Sequence, residues 1–174
     1  MQFLSTTIYV AATAISRDGQ NAVFVKYIPI PLYKQFRYKI IPEIIMKTVT
    51  ALIVFVIIEV ICPISPMILV VSMILHLLLS SVQTYLNFFV DLKKPKLEWD
   101  TEYAVVKQNM NLMWPMCFGL TGIAIIVGIG VLVSSLNLLY IVAMLPIGIL
   151  LVAGLIFIDK YVQKNENKLF EKIY

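Results

Sequence analysis

The chain has 174 residues, 60% of them hydrophobic, a mean hydropathy of +0.90 and a formal net charge of +4. Apolarity this far above the ~45–50% of an ordinary soluble domain excludes a water-soluble core as the organising principle. The surplus cations do not point to nucleic acid, because they flank apolar runs and are interleaved with acids, as membrane orientation and attraction to anionic lipid require.

Residues 1–16 lack the charged start of a signal peptide and run straight into Arg17-Asp18-Gly19. At ~1.5 Å per residue they are too short for a full span, so they are expected to be a partial membrane helix. After the Arg17-Asp18-Gly19 turn, a short partly apolar stretch is closed by Pro29 and Pro31. Pro31 suits the first turn of an amphipathic helix carrying Leu32, Tyr33, Phe36 and Ile40 on one face and Lys34, Arg37 and Lys39 on the rest. Such a helix is expected to lie on the membrane surface.

Four apolar runs follow, at 42–62, 66–90, 112–134 and 138–158. Each is about the length an α-helix needs to cross ~30 Å of hydrocarbon. The fold class is therefore all-α: a polytopic membrane helix bundle with four transmembrane helices and a partial N-terminal one, in a single domain over 1–174. Pro42 and Glu43 are expected to restart the chain as the first span, and Ser65-Pro66 to cap the second. The 91–111 connection holds a short interfacial helix anchored by Trp99 and Tyr103. Pro115 is cheap in the first turn of the third span, whereas Pro146 predicts a kink in the fourth. The tail 159–174 is a short helix with Val162, Leu169, Phe170 and Ile173 towards the membrane surface.

The two hairpin tips, 63–65 and 135–137, carry no charge, while 17–41, 91–111 and 159–174 hold every Lys and Arg except Lys47. By the positive-inside rule these charged segments, and with them the C-terminus, face the cytoplasm of a cell-membrane protein. Lys47, soon after Pro42, is expected to snorkel to the same interface. Cys62 and Cys117 fall at opposite ends of their spans and are expected to stay unpaired.

Two embedded ionisable groups stand out as a candidate intramembrane polar site, His76 and Glu59. His76 can relay a proton, but a neutral imidazole bonded to a neighbouring carbonyl accounts for it more simply. Glu59 lies about one turn from the outer end and reads as interfacial. The pairs Ala124/Gly128 and Gly130/Ser134 permit close helix approach and carry no chemistry. No Walker A loop, catalytic triad or metal-ligand spacing occurs, so the chain reads as a non-enzyme with no cofactor, no metal and no catalytic residue.

The order Ile15-Ser16-Arg17-Asp18-Gly19, a short apolar helix, Tyr27-Ile28-Pro29-Ile30 and Tyr33-Lys34-Gln35-Phe36-Arg37-Tyr38-Lys39 resembles the type-two ATP-binding-cassette (ABC) exporter permeases. The loop Asp91-Leu92-Lys93-Lys94-Pro95-Lys96-Leu97-Glu98-Trp99 with Val106–Asn111 is similar to that of a Gram-positive, clostridium-like branch. The resemblance covers almost the whole chain, as a C-terminal portion of such a permease. The family's first helix and most of its second are missing, so the chain is a truncated or split frame, or another polypeptide supplies that half. The resemblance implies partnership with an ABC ATPase subunit, with a second permease copy or homologous half, and with membrane lipid. It further implies that ATPase closure pushes on Gly19–Ile28, making Arg17, Asp18, Gly19, Val23, Phe24, Lys26 and Tyr27 the coupling segment. A small multi-span accessory or assembly protein without transport activity is the alternative. Substrate is not legible.

Overall fold

The structure, a computed structural model, describes residues 8–63, 65–107, 109–135 and 140–171. The chain enters through two 3-10 helices, Val10–Thr13 and Ser16–Lys26. The helices α1 (Leu32–Ile61), α2 (Pro66–Lys93) and the short α3 (Glu102–Lys107) follow, and after a 3-10 turn at Met110–Leu112 come α4 (Met113–Ser135), α5 (Tyr140–Lys164) and α6 (Glu166–Phe170). Among the described residues four helices are long and apolar enough to cross a membrane, so the molecule is a multi-pass helical bundle. Residues 1–7 of the expected partial helix, and 64 and 136–139 at the hairpin tips, lie outside the described residues; the rest of that N-terminal stretch contains only the single turn Val10–Thr13.

The amphipathic helix and the first span, expected as two elements, are one helix of 30 residues with Pro42 inside it. Proline there removes the bond to the carbonyl of Tyr38. Tyr38 is exposed, so that carbonyl can be solvated and the helix runs on. The predicted face does exist, but Phe36 and Ile40 are buried against protein rather than lying on the bilayer. They pack with Ala11, Ala14, Ile15 and Phe88, and the Phe36 and Phe88 rings meet edge to face at 4.3 Å. Alanines at 11, 12, 14 and 22 let the entering chain lie close against α1 and α2, and all four are buried.

The core therefore sits at the charged end of the bundle, while much of each span faces outward. Val60, Ile149 and Leu150 are more than two-thirds exposed, as expected where lipid tails are as apolar as the side chains. The tail belongs to the core as well. α5 continues through Asp159 to Lys164, Val162 is buried in the core and Leu169 packs against the same cluster. Two straps hold it to the start of α1: Arg37 grips Asp159 through Nε and Nη2 at 3.0 and 2.6 Å, and the Tyr33 amide donates to Glu166 at 3.2 Å. These polar ties turn Val162 and Leu169 inward, not towards the membrane surface. The Phe170 side chain and Ile173 lie outside the described residues.

Trp99, expected as an interfacial anchor, also turns inward: its indole N–H donates to the Ser16 carbonyl at 2.9 Å. Tyr103 remains exposed. α5 passes through Pro146 without interruption as a helix. Gly128 faces open space, so no close helix approach uses it within this chain.

Candidate functional site: an anchored turn at the charged end

Gly19 makes the turn. Its φ of 55° and ψ of −134° belong to a region that only glycine adopts cheaply. A Cβ added there would sit 3.0 Å from Trp99 Nε1, so the same position also needs an absent side chain. The chain reverses at this point, and residues 20–26 form the second half of the 3-10 segment.

The residues before the turn are bound by a serine that the sequence reading did not single out. Ser16 is fully buried. Its amide donates to Asp91 Oδ2 at 3.0 Å beside the Ile15 amide at 2.7 Å, and its hydroxyl donates to Asp91 Oδ1. The same hydroxyl accepts from the Lys96 amide at 2.9 Å and from Asn109 Nδ2 at 3.3 Å. Asn111 Nδ2 completes the Asp91 shell at 3.1 Å. Asp91 thus ends α2 as a buried acceptor for two backbone amides and two side chains, tying the turn, α2 and the 91–111 connection together.

A second carboxylate does the same from α1. Glu43 Oε2 accepts the Ala11 amide at 2.6 Å. Glu43 Oε1 pairs with Lys47 Nζ at 2.7 Å, one helical turn on, with both side chains fully buried. Asn87 donates to Oε1 at 3.2 Å, and the Thr84 hydroxyl, 3.0 Å from Oε1, accepts from Lys47 at 3.1 Å. Lys47 therefore does not snorkel. A partner carboxylate one turn away and a hydroxyl on α2 hold it inside the bundle, which is how membrane proteins keep an embedded charge.

Embedded ionisable groups thus extend beyond His76 and Glu59 to Glu43, Lys47 and Asp91. The missed signal was a period. On α2 the polar residues His76, Ser80, the adjacent Gln83 and Thr84, Asn87 and Asp91 recur at steps of three or four positions, and all are buried. One face of the most central helix is polar, and that face receives Glu43, Lys47 and the entering chain. His76 stands at the deep end of this stripe, buried and engaged within the protein. Glu59 is half-buried near the far end of α1 and is not part of the stripe. The structure does not bring the two together as a site.

Of the expected coupling residues, Arg17 and Asp18 serve the turn itself. The Arg17 guanidinium donates to the Val10 and Thr13 carbonyls at 3.1 and 3.4 Å, and Asp18 pairs with Lys39. Beyond Gly19 the pattern reverses: Ala22 and Val25 are buried, while Phe24 and Tyr27 are 62% and 77% exposed. Their rings lie 6.5 Å apart. Val23 is half-buried and Lys26 exposed, neither without interactions of its own. Beside them a groove of about 560 Å³ separates Val25, Lys26 and Ile28 from Glu166 and Lys168 of the tail. Gln35 closes the segment, donating to the Val25 and Ile30 carbonyls at 3.0 and 2.8 Å.

Among the described residues no three His, Cys, Asp or Glu side chains gather closely enough to hold a metal ion. The carboxylates at the site are occupied by amides and by Lys47, so the arrangement is suited to holding a segment in place. Comparison with protein-family models, curated proteins and solved structures gives no match.

Proposed function

We propose that the chain is the membrane-spanning permease subunit, or a C-terminal portion of one, of an ATP-driven ABC exporter of the cell membrane. In this reading the charged end and the C-terminus lie in the cytoplasm. The carrying observation is the pair Phe24 and Tyr27: two large side chains exposed at the charged end on a short helical segment that is itself firmly anchored. Exposed aromatics on a rigid base are what a partner's cleft recognises. The tight turn, the short helix and the Pro29–Pro31 exit agree with the coupling element of the permeases that the sequence resembles.

The mechanism follows from the anchors. A push on Phe24 and Tyr27 reaches Ser16 through the Gly19 turn and is delivered to Asp91 on α2. Through Ala11 it reaches Glu43 on α1. Short charge-assisted bonds transmit displacement with little slack, so the segment moves with the two helices that carry the carboxylates. ATPase closure would then tilt α1 and α2 against α4 and α5.

The test is recruitment. Tagged chain, purified from membranes of cells that carry its natural partners, should bring down an ABC ATPase identified by its peptides and by ATP hydrolysis in the eluate. Phe24→Ala with Tyr27→Ala should abolish that ATPase while leaving the amount of inserted chain unchanged. Wild-type ATPase recovery with the double variant would sink the reading and leave the non-transport accessory protein in its place.

A further inference from the structure

A cavity of about 450 Å³ lies away from the anchored turn, between α2, α4 and α5, with Phe55 of α1 at one wall. Among the described residues its lining is largely aliphatic, with Leu75, Leu79, Ile147 and Leu151 beside Gly122, and its polar contributors are Ser72 and His76. Both are engaged within the protein already. We propose that this cavity binds one hydrocarbon chain of an amphiphile, drawn sideways from the surrounding bilayer.

Three observations carry it. The mouth opens outward between spans: the lining residues Ile125, Ile126 and Leu150 are 55%, 44% and 71% exposed, on helices whose surroundings are hydrocarbon. The size falls within the ~300–1,000 Å³ of small-molecule sites and is far beyond the sub-water voids of a packed interior. Water is a poor occupant, because it needs two to four polar partners and the described residues of the walls offer few. Left empty, the walls would lose their dispersion contacts on one side. A hydrocarbon chain restores those contacts and is the most abundant molecule at the mouth. Chain entry is driven by this packing and not by dehydration, since the chain leaves one apolar medium for another.

A second apolar cavity of about 400 Å³, lined by Val71, Leu78, Leu145 and Val152, shares Leu75 and Met144 with the first. A Cβ added at Gly148 would sit 3.5 Å from Leu75 Cδ2. Gly148 lines the second space and Leu75 both, so Leu75 is a wall that the two cavities share. The site runs along about seven residues of α2, from Ser72 to Leu79, which is roughly 10 Å at 1.5 Å per residue. It therefore takes a chain segment lengthwise.

The inference rests on the membrane-spanning fold and needs no ATPase, so it can fail while the exporter reading stands. The full chain is placed in phosphatidylcholine nanodiscs doped either with phosphatidylcholine bearing a diazirine on one acyl chain or with free diazirine-palmitate. After photolysis, mass spectrometry compares label on residues 72–79 and 144–151 with label on the outward face of 52–60. The first set should be enriched. Gly122→Leu and Leu151→Phe, which fill the space from different helices, should each lower that ratio about tenfold, and Leu79→Ala should raise it. Enrichment with the phosphatidylcholine probe identifies a bilayer lipid as the source, and enrichment only with free palmitate identifies a single-chain amphiphile; both support the site. A wild-type ratio near one, or a ratio that none of the three variants moves, overturns it. So does a disulfide between two copies carrying Ile126→Cys together with absent cavity label, which would put a second subunit over the mouth.

Discussion

Glu43 is neutralised by the lysine one turn along its own helix and held by donors from two other elements, so its neighbours cannot be removed singly without penalty. Lys47→Met leaves a buried carboxylate without its counter-charge, a change that costs about 3–5 kcal/mol when a buried pair is broken from one side. Lys47→Met with Glu43→Gln removes both charges and keeps an acceptor for the Ala11 amide. The double variant should therefore melt in detergent closer to wild type than Lys47→Met does, with intrinsic tryptophan fluorescence as the readout. At Gly19, alanine would have to adopt a glycine conformation, at about 1–3 kcal/mol, and would also press on Trp99. Gly19→Ala should shift Trp99 emission to the red and increase proteolytic nicking at 19–28. An unchanged emission spectrum and cleavage pattern would show that the turn tolerates a side chain. Glu43 reads in the sequence as a helix start, Lys47 as an interfacial cation and Ser16 as part of a turn for one reason: a single polar residue near a span end looks interfacial until another element is seen to meet it.

The elements that the sequence places correctly are those set by local chemistry. Helix α2 begins at Pro66 behind Ser65, as a proline at the first helical position favours, although the Ser65 side chain makes no capping hydrogen bond, and the turn at Arg17-Asp18-Gly19 forms with glycine at its strained position. The elements misjudged are those decided by what lies across from them. Pro42 reads as a helix start in isolation, yet α1 continues through it because Phe36 and Ile40 are committed to the core on one side and Glu43 and Lys47 on the other. The straps from α1 to the tail are a property of this end-to-end arrangement. Arg37→Ala should release α5 beyond Asp159 and α6, because it removes a bidentate ion pair that two helices share. Faster hydrogen exchange over 159–171, with exchange over 66–90 unchanged, is the expected result; uniform exchange would place the tail's stability elsewhere. The pair is partly exposed, so the effect on overall stability should be small, about 1 kcal/mol or less.

For the molecule as a whole, orientation is the property on which the proposed coupling depends. In a background with Cys62 and Cys117 replaced by Ser, single cysteines at Ser65 and Asn137 should react with an impermeant maleimide in intact cells, and those at Gln20 and Lys96 should not. The opposite pattern would place Phe24 and Tyr27 outside the cell and remove any cytoplasmic partner. The native cysteines, both free and exposed on different helices, should give no intramolecular crosslink on non-reducing electrophoresis.

Sequence alone determined that this is a multi-pass all-helical protein, because span length and the scarcity of charge within a run answer directly to the thickness and polarity of a bilayer. It also determined the glycine turn, which depends on backbone sterics at one residue. Tertiary structure alone decided where the core lies and which polar residues matter. A charge within a span is an interfacial accident or a structural anchor according to what reaches it, and Ala11, Thr84 and Asn87 reach Glu43 from 32, 41 and 44 residues away. No local pattern encodes a meeting at that separation. The cavity beside His76 is likewise a product of how three helices diverge, a geometry that hydropathy, which weighs residues one at a time, does not contain.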